Sequence, residues 1–353
     1  MRSAQRRPQR NLTAFLGALL GMFLCACGGG SDESSSTTTT TALSTASAAN
    51  DLQAPKRRAL AYDRQGVTAI VVASDGRAVG VANSDGSVRL LDASGSRETK
   101  VLKPQGGAVA AGLVFSADGR YLAAVGRDSV AQVWNIETGE RRFLLRGHEH
   151  ALRSIAASAD GAVIATGGEE TRVMVWDGGT GRLKRIFGGH TDFVNSVSVS
   201  ADGRLLASGD AAARILVWDI ATGQLLHTLL GHANEVNVVV FNPDGKLLAS
   251  AGEDGKVFLW DVAAGRQAAA LEGQRAPVRS LAFSRDGALL AGGASDGKVE
   301  VWDMATRKVS LELAGSTSAV NALAFDGSNQ GQLFVGNQES RLLSVRVPRV
   351  AAR

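Results

Sequence analysis

One position recurs seven times at almost constant spacing: Leu91, Trp134, Trp176, Trp218, Trp260, Trp302 and Val345, separated by 43, 42, 42, 42, 42 and 43 residues. A fixed period of this length confines a chain to architectures in which like units stack on one another. Each unit alone is too small to bury an apolar face, and only its neighbours can cover it. The seven units run from residue 56 to residue 347.

Inside a unit the pattern is that of short strands. In EVNVVVF (Glu235 to Phe241) and KVFLWD (Lys256 to Asp261) apolar residues alternate or run briefly, with β-branched residues enriched. Asp-Gly pairs separate the first two strands, ending at Gly76, Gly119, Gly161, Gly203, Gly245 and Gly287. Asp offers a side-chain acceptor and Gly reaches positive φ, which suits a tight reversal. A second turn appears as EDGK (Glu253 to Lys256) and SDGK (Ser295 to Lys298). Four short antiparallel strands per unit follow. The last unit has no fourth strand after RLLSVRV, while a spare strand-like piece, KRRALAY (Lys56 to Tyr62), precedes the first. Pairing the two would close the set into a ring and hide both edges.

Gly-His at 147–148, 189–190 and 231–232, with Trp-Asp at 176–177, 218–219, 260–261 and 302–303, resembles the WD-repeat β-propeller family in register over about 290 residues. The resemblance implies an all-β fold: a seven-bladed β-propeller of four-stranded antiparallel blades around a central channel, closed by an N-terminal strand pairing with the last blade. It also implies a hydrogen-bonded tetrad of His, Ser or Thr, a turn Asp and the Trp indole in each complete unit. All four are present as His232, Ser250, Asp254 and Trp260. The third unit keeps His148, Thr166 and Trp176 with Glu170 for the Asp, and the fourth keeps His190, Ser208 and Trp218 with Ala212 there. The other four units place Asp63, Gly106, Gln274 and Thr317 where the His belongs.

These polar residues do not suggest catalysis. His148, His190 and His232 occupy equivalent corners of blades rotated by about 51° from one another, and therefore on the order of 10 Å apart. A metal–nitrogen bond is about 2 Å, so they share no metal. The tetrad explains each Ser, His and Asp without a triad, and in HEH (148–150) the first His is already used. No Gly-rich loop opens a helix, because the chain has no helical period. The expectation is a protein without metal, cofactor or catalytic residues. The rival reading is an enzyme or small-ligand binder that uses the central channel.

What remains is surface. Side chains flanking the start of each first strand should line one mouth of the channel: Arg153, Phe193, Asn195, Glu235, Asn237 and Arg279. Phe and Arg amid mixed charge suit a protein-contact face. Nucleic acid is a poor partner. Four of the 38 basic residues are Arg2, Arg6, Arg7 and Arg10, and the remaining 34 equal the 34 acidic residues, which leaves no basic footprint.

The N-terminus reads differently. A basic stretch and the apolar NLTAFLGALLGMFL precede Leu24-Cys25-Ala26-Cys27. The four residues resemble a bacterial lipoprotein signal, which implies removal of residues 1–26 and diacylglycerol on the Cys27 thiol. Gly28 after that Cys implies the outer rather than the inner membrane, with the domain facing the periplasm. Residues 27–55 then form a Gly/Ser/Thr/Ala linker without apolar period, with a reach of roughly 30 Å. Both cysteines, Cys25 and Cys27, lie in this N-terminal segment, ahead of the repeats, so burial rather than disulfides must stabilise the propeller. The expected whole is a monomeric, lipid-anchored scaffold with a short tail at 348–353, docking protein partners at the cell envelope.

Overall fold

The structure, a computed structural model, describes residues 57–59 (main chain only), 66–104, 109–116, 118–314, 318–327, 331–339 and 342–348. The predicted leader, Cys27, the linker and the positions Asp63, Gly106 and Thr317 lie outside them. Among the described residues there are 28 strands and no helix.

The strands form seven four-stranded antiparallel sheets arranged as the blades of a ring. The first piece, β1 (Arg57–Ala59), belongs with the last blade. Blade one is β2 (Val67–Val72), β3 (Ala78–Asn83), β4 (Val88–Asp92) and β5 (Glu98–Leu102). Blade two is β6 (Ala110–Phe115), β7 (Tyr121–Gly126), β8 (Val130–Asn135) and β9 (Arg141–Arg146). Blade three is β10 (Leu152–Ala157), β11 (Val163–Gly168), β12 (Val173–Asp177) and β13 (Leu183–Phe187). Blade four is β14 (Val194–Val199), β15 (Leu205–Asp210), β16 (Arg214–Asp219) and β17 (Leu225–Leu230). Blade five is β18 (Val236–Phe241), β19 (Leu247–Gly252), β20 (Val257–Asp261) and β21 (Arg266–Leu271). Blade six is β22 (Val278–Phe283), β23 (Leu289–Ala294), β24 (Val299–Asp303) and β25 (Lys308–Leu313). Blade seven is β26 (Val320–Phe325), β27 (Gln332–Asn337) and β28 (Leu342–Arg346), with β1 as its outer strand. Arg57 stands opposite Val345 and Ala59 opposite Leu343.

The recurring position falls on the third strand of every blade, from Leu91 in β4 to Val345 in β28. These strands are sandwiched by their own sheet and the neighbouring blades, so β20 (VFLWD) is buried up to its final Asp. Outer strands face solvent, and in β13 only Phe187 is buried. The core accordingly lies between blades. Ala249 and Leu259 of blade five share one cluster with Leu281, Leu290 and Trp302 of blade six. The seam is made the same way, with Val67, Val79, Val81 and Leu91 packed on Ala322, Phe334 and Leu342. Truncating one such side chain, as in Leu259→Ala, would cost about 2–5 kcal/mol.

Candidate functional site: the mouth of the channel

Every innermost strand carries a β-bulge at its second residue. Pairing with the second strand slips by one between Val67 and Ala69, and again at the same point in the other six blades. The skipped residues are Thr68, Ala111, Arg153, Asn195, Asn237, Arg279 and Asn321. A bulge re-aims a side chain that strict alternation would have placed elsewhere. Seven bulges in one register therefore make a ring of side chains at one mouth of the channel. Four of the six face residues expected from the sequence, Arg153, Asn195, Asn237 and Arg279, are bulge residues.

Most of this ring is tied to itself. Asn195 donates from Nδ2 to the Val236 oxygen (3.2 Å), Asn237 to the Val278 oxygen (3.0 Å) and Asn321 to the Val67 oxygen (3.0 Å). Thr68 donates to the Ala110 oxygen (2.6 Å), and Arg153 to Asn195 Oδ1 (2.6 Å). Each bond crosses to the next blade. Asn195 and Asn237, expected as contact residues, thus serve as blade-to-blade staples. Asn237 also holds Glu253 (2.9 Å), and Arg153 holds Glu169 (3.1 Å).

The groups left free are few. Phe193 is 43 % exposed, and the Arg153 guanidinium lies 5.4 Å from its ring centre. Arg279 is exposed. Glu235 is half-buried, and its main-chain oxygen accepts from Glu253 (2.9 Å). The structure thus brings Arg153, Phe193 and Asn195 together, and places Glu235 and Arg279 beside the stapled positions of the next two blades.

Behind the mouth stand the tetrads. His232 directs Nδ1 at Asp254 Oδ2 (2.9 Å) and Nε2 at Ser250 Oγ (2.8 Å), and Trp260 Nε1 donates to the same hydroxyl (2.8 Å). In blade three Glu170 replaces the Asp at His148 Nδ1, while Nε2 faces Thr166 (2.7 Å), to which Trp176 donates (2.8 Å). Burial pushes all three histidines below their ordinary pKa, against the pull of their carboxylates, which favours the neutral ring at pH 7. The carboxylate fixes the proton on Nδ1, leaving Nε2 to accept from the hydroxyl. All these atoms are engaged, which suits rigidity and leaves no nucleophile.

Blade four corrects the sequence reading. Ala212 does stand at the usual Asp position, yet the carboxylate is not lost. Asp210, fully buried at the end of β15, meets His190 Nδ1 at 2.7 Å and Arg214 at 3.0 Å. The residues equivalent to Asp210 in blades three and five are Gly168 and Gly252. The signal in the sequence was an acid gained two residues before the one that is missing.

The WD domain, G-beta repeat, matches residues 181–219, 223–261 and 265–303. Each matched repeat straddles two blades: 223–261 holds β17 of blade four and then β18 to β20 of blade five. A second model, the cytochrome D1 heme domain, matches residues 75–191. The residues there do not fit a haem. His148 and His190 are buried with both ring nitrogens engaged, and His150 is a surface side chain, 62 % exposed. The cavity between blades two and three, lined by Val114, Tyr121 and Ile164 among others, is about 30 Å³, and the channel space bordered by Ala111, Leu113 and Arg153 among others is about 200 Å³, both short of the roughly 300–1,000 Å³ of a ligand pocket. No curated protein matches the chain. With seven four-stranded blades in a ring and WD repeats matched at 181–303, the chain is a β-propeller that carries WD repeats.

Proposed function

We propose that the chain is a rigid, non-enzymatic docking platform that presents the mouth of its channel to a protein partner. A lipid on Cys27 holds it at a bacterial envelope membrane, facing the periplasm and at the outer rather than the inner membrane. WD repeats on a propeller suggest an interaction scaffold, but fold alone does not supply a function. The observation that carries the reading is the mouth itself. Staples immobilise its frame, so little side-chain entropy is lost on binding, and Phe193 is left exposed with Arg153 against its ring. Aromatic and Arg side chains are the commonest anchors of protein contacts.

The test is co-purification of stoichiometric partners from membranes with the mature chain. Phe193→Ala combined with Arg279→Ala should abolish capture while the unfolding transition stays put. Capture that survives the pair would end this reading. The anchor rests on Leu24-Cys25-Ala26-Cys27. Its test is Cys27→Ser, which should move the chain from the membrane fraction to the soluble one.

A further inference from the structure

Blade six lacks both the His and the Ser of the tetrad, with Gln274 and Gly292 in their places. Its Trp302 has found another partner, donating from Nε1 to the Glu272 oxygen at 2.9 Å. The ring fills space that a Gly292 side chain would need, since a Cβ there would lie 2.8 Å from Trp302 Cζ3. Gln274 donates from Nε2 to the Gly292 oxygen at 3.1 Å.

Within this rearrangement sits a carboxyl that the tetrads do not account for. Glu300 is 0 % exposed, at the position held by Met174, Leu216 and Phe258 in the three blades with tetrads. Its Oε1 takes a bond from Lys298 Nζ at 2.5 Å. Its Oε2 is buried without a donor, as is Gln274 Oε1. Gly273 is required against it, because any Cβ there would overlap the carboxyl. Orphan buried acceptors are rare, and an ionised carboxylate bearing one is expensive. A proton on Oε2 turns one orphan acceptor into a donor.

We propose that Glu300 is a carboxylic acid in the folded ring, and that its ionisation loosens blade six and the connection from Gly273 to Pro277 that leads into Arg279 at the channel mouth. Lys298 and Asp296 face the carboxyl from the turn between β23 and β24, and Glu312 from β25. The adjoining β23 residue is the uncharged Gly292, and the charged members of the connection, Glu272 and Arg275, are exposed. Burial pushes the Glu300 pKa up, opposed by Lys298 and assisted by Glu312 and Asp296. A carboxyl whose folded pKa is raised stabilises the fold at low pH and loses that contribution as pH rises through the folded pKa. The proton site stands without the docking reading. Only its consequence for a partner rests on that reading.

The experiment is amide hydrogen exchange of Val299–Asp303 and of residues 273–279 in the mature chain, from pH 5.5 to 8.5, corrected for intrinsic rates. Wild-type protection should fall by up to about tenfold per pH unit, the slope of one released proton, while blade four shows no such fall. Glu300→Gln, a neutral mimic of the acid, should hold protection within about twofold, as should Glu300→Leu. A flat wild-type profile overturns the proposal whether or not either variant folds. A slope that persists in a folded variant overturns it too. Failure of Phe193→Ala to affect partner capture would leave this outcome untouched.

Discussion

Arg285 of blade six donates from Nη1 to the main-chain oxygen of Ser74 in blade one, 2.9 Å away and 211 residues distant in sequence. The same nitrogen reaches the Gly327 oxygen in blade seven at 2.6 Å. One guanidinium thus clasps three blades on the face opposite the mouth. A Cβ on Gly327 would lie 2.9 Å from Gly76 Cα, so the turns of blades seven and one meet main chain to main chain.

Arg285 therefore ties the seam from an exposed position. Arg285→Ala should lower stability by about 1 kcal/mol, the range for a charged donor at an exposed site. Hydrogen exchange should quicken in blades one and seven while blades three to five stay as they were. Deleting residues 57–59 should bare the outer edge of β28 and promote self-association, read by sedimentation.

Blade four offers a relocation test. Asp210→Ala strips a buried carboxylate from both His190 and Arg214 and should cost about 3–5 kcal/mol by denaturant unfolding. Combining Asp210→Gly with Ala212→Asp recreates the pattern of blade five, and should recover most of that loss.

Acid should weaken the three tetrad blades together. The histidines have folded pKa values below the ordinary 6.5, so unfolded chains take up protons first as pH falls below 6.5. Glu170, Asp210 and Asp254 are held below the usual carboxylate range by the backbone amides and the histidines they bind, which adds a further loss near the foot of the acid range. Melting temperature should fall from pH 7 to pH 5 in the wild type. His148→Gln, His190→Gln and His232→Gln together should flatten that slope, even if they lower the plateau.

Along the rim, the outer strands of blades one to four grip the turn of the next blade by a size match. Lys100, Phe143, Arg185 and His227 lie over Gly139, Gly181, Gly223 and Gly265, where a side chain would press on them. Between blades five and six the match is inverted: Ala269 is small and Arg307 fills the turn, with a φ of 58° and a bond to the Ala268 oxygen at 3.2 Å. Gly265→Arg should cost about 2 kcal/mol or more, from overlap and positive φ. Adding His227→Ala should recover a large part, a coupling that a double-mutant cycle would report.

The sequence displayed the ring because its period, turns and Trp positions are local or fixed in register. It displayed His232, Ser250, Asp254 and Trp260 for the same reason. Asp210 was hidden because a carboxylate can reach the same imidazole from two residues away. The mouth was only half legible: the repeat register carries Asn195 and Asn237 to the start of a first strand, but a bulge decides which way they turn, and alternation cannot show a bulge. Arg285 and Glu300 answer to partners that a single unit does not show, one across the seam and one in space vacated by lost tetrad residues.

The most direct measurement of the central claim is photo-crosslinking in intact cells from two positions on opposite faces of the ring. A crosslinker at Phe193 is expected to give discrete protein adducts. One at Lys246, in the turn after β18 with a side chain 82 % exposed, is expected to give none. Adducts from Lys246 and none from Phe193 would contradict the assignment of the docking face, and adducts from neither would contradict docking by either face.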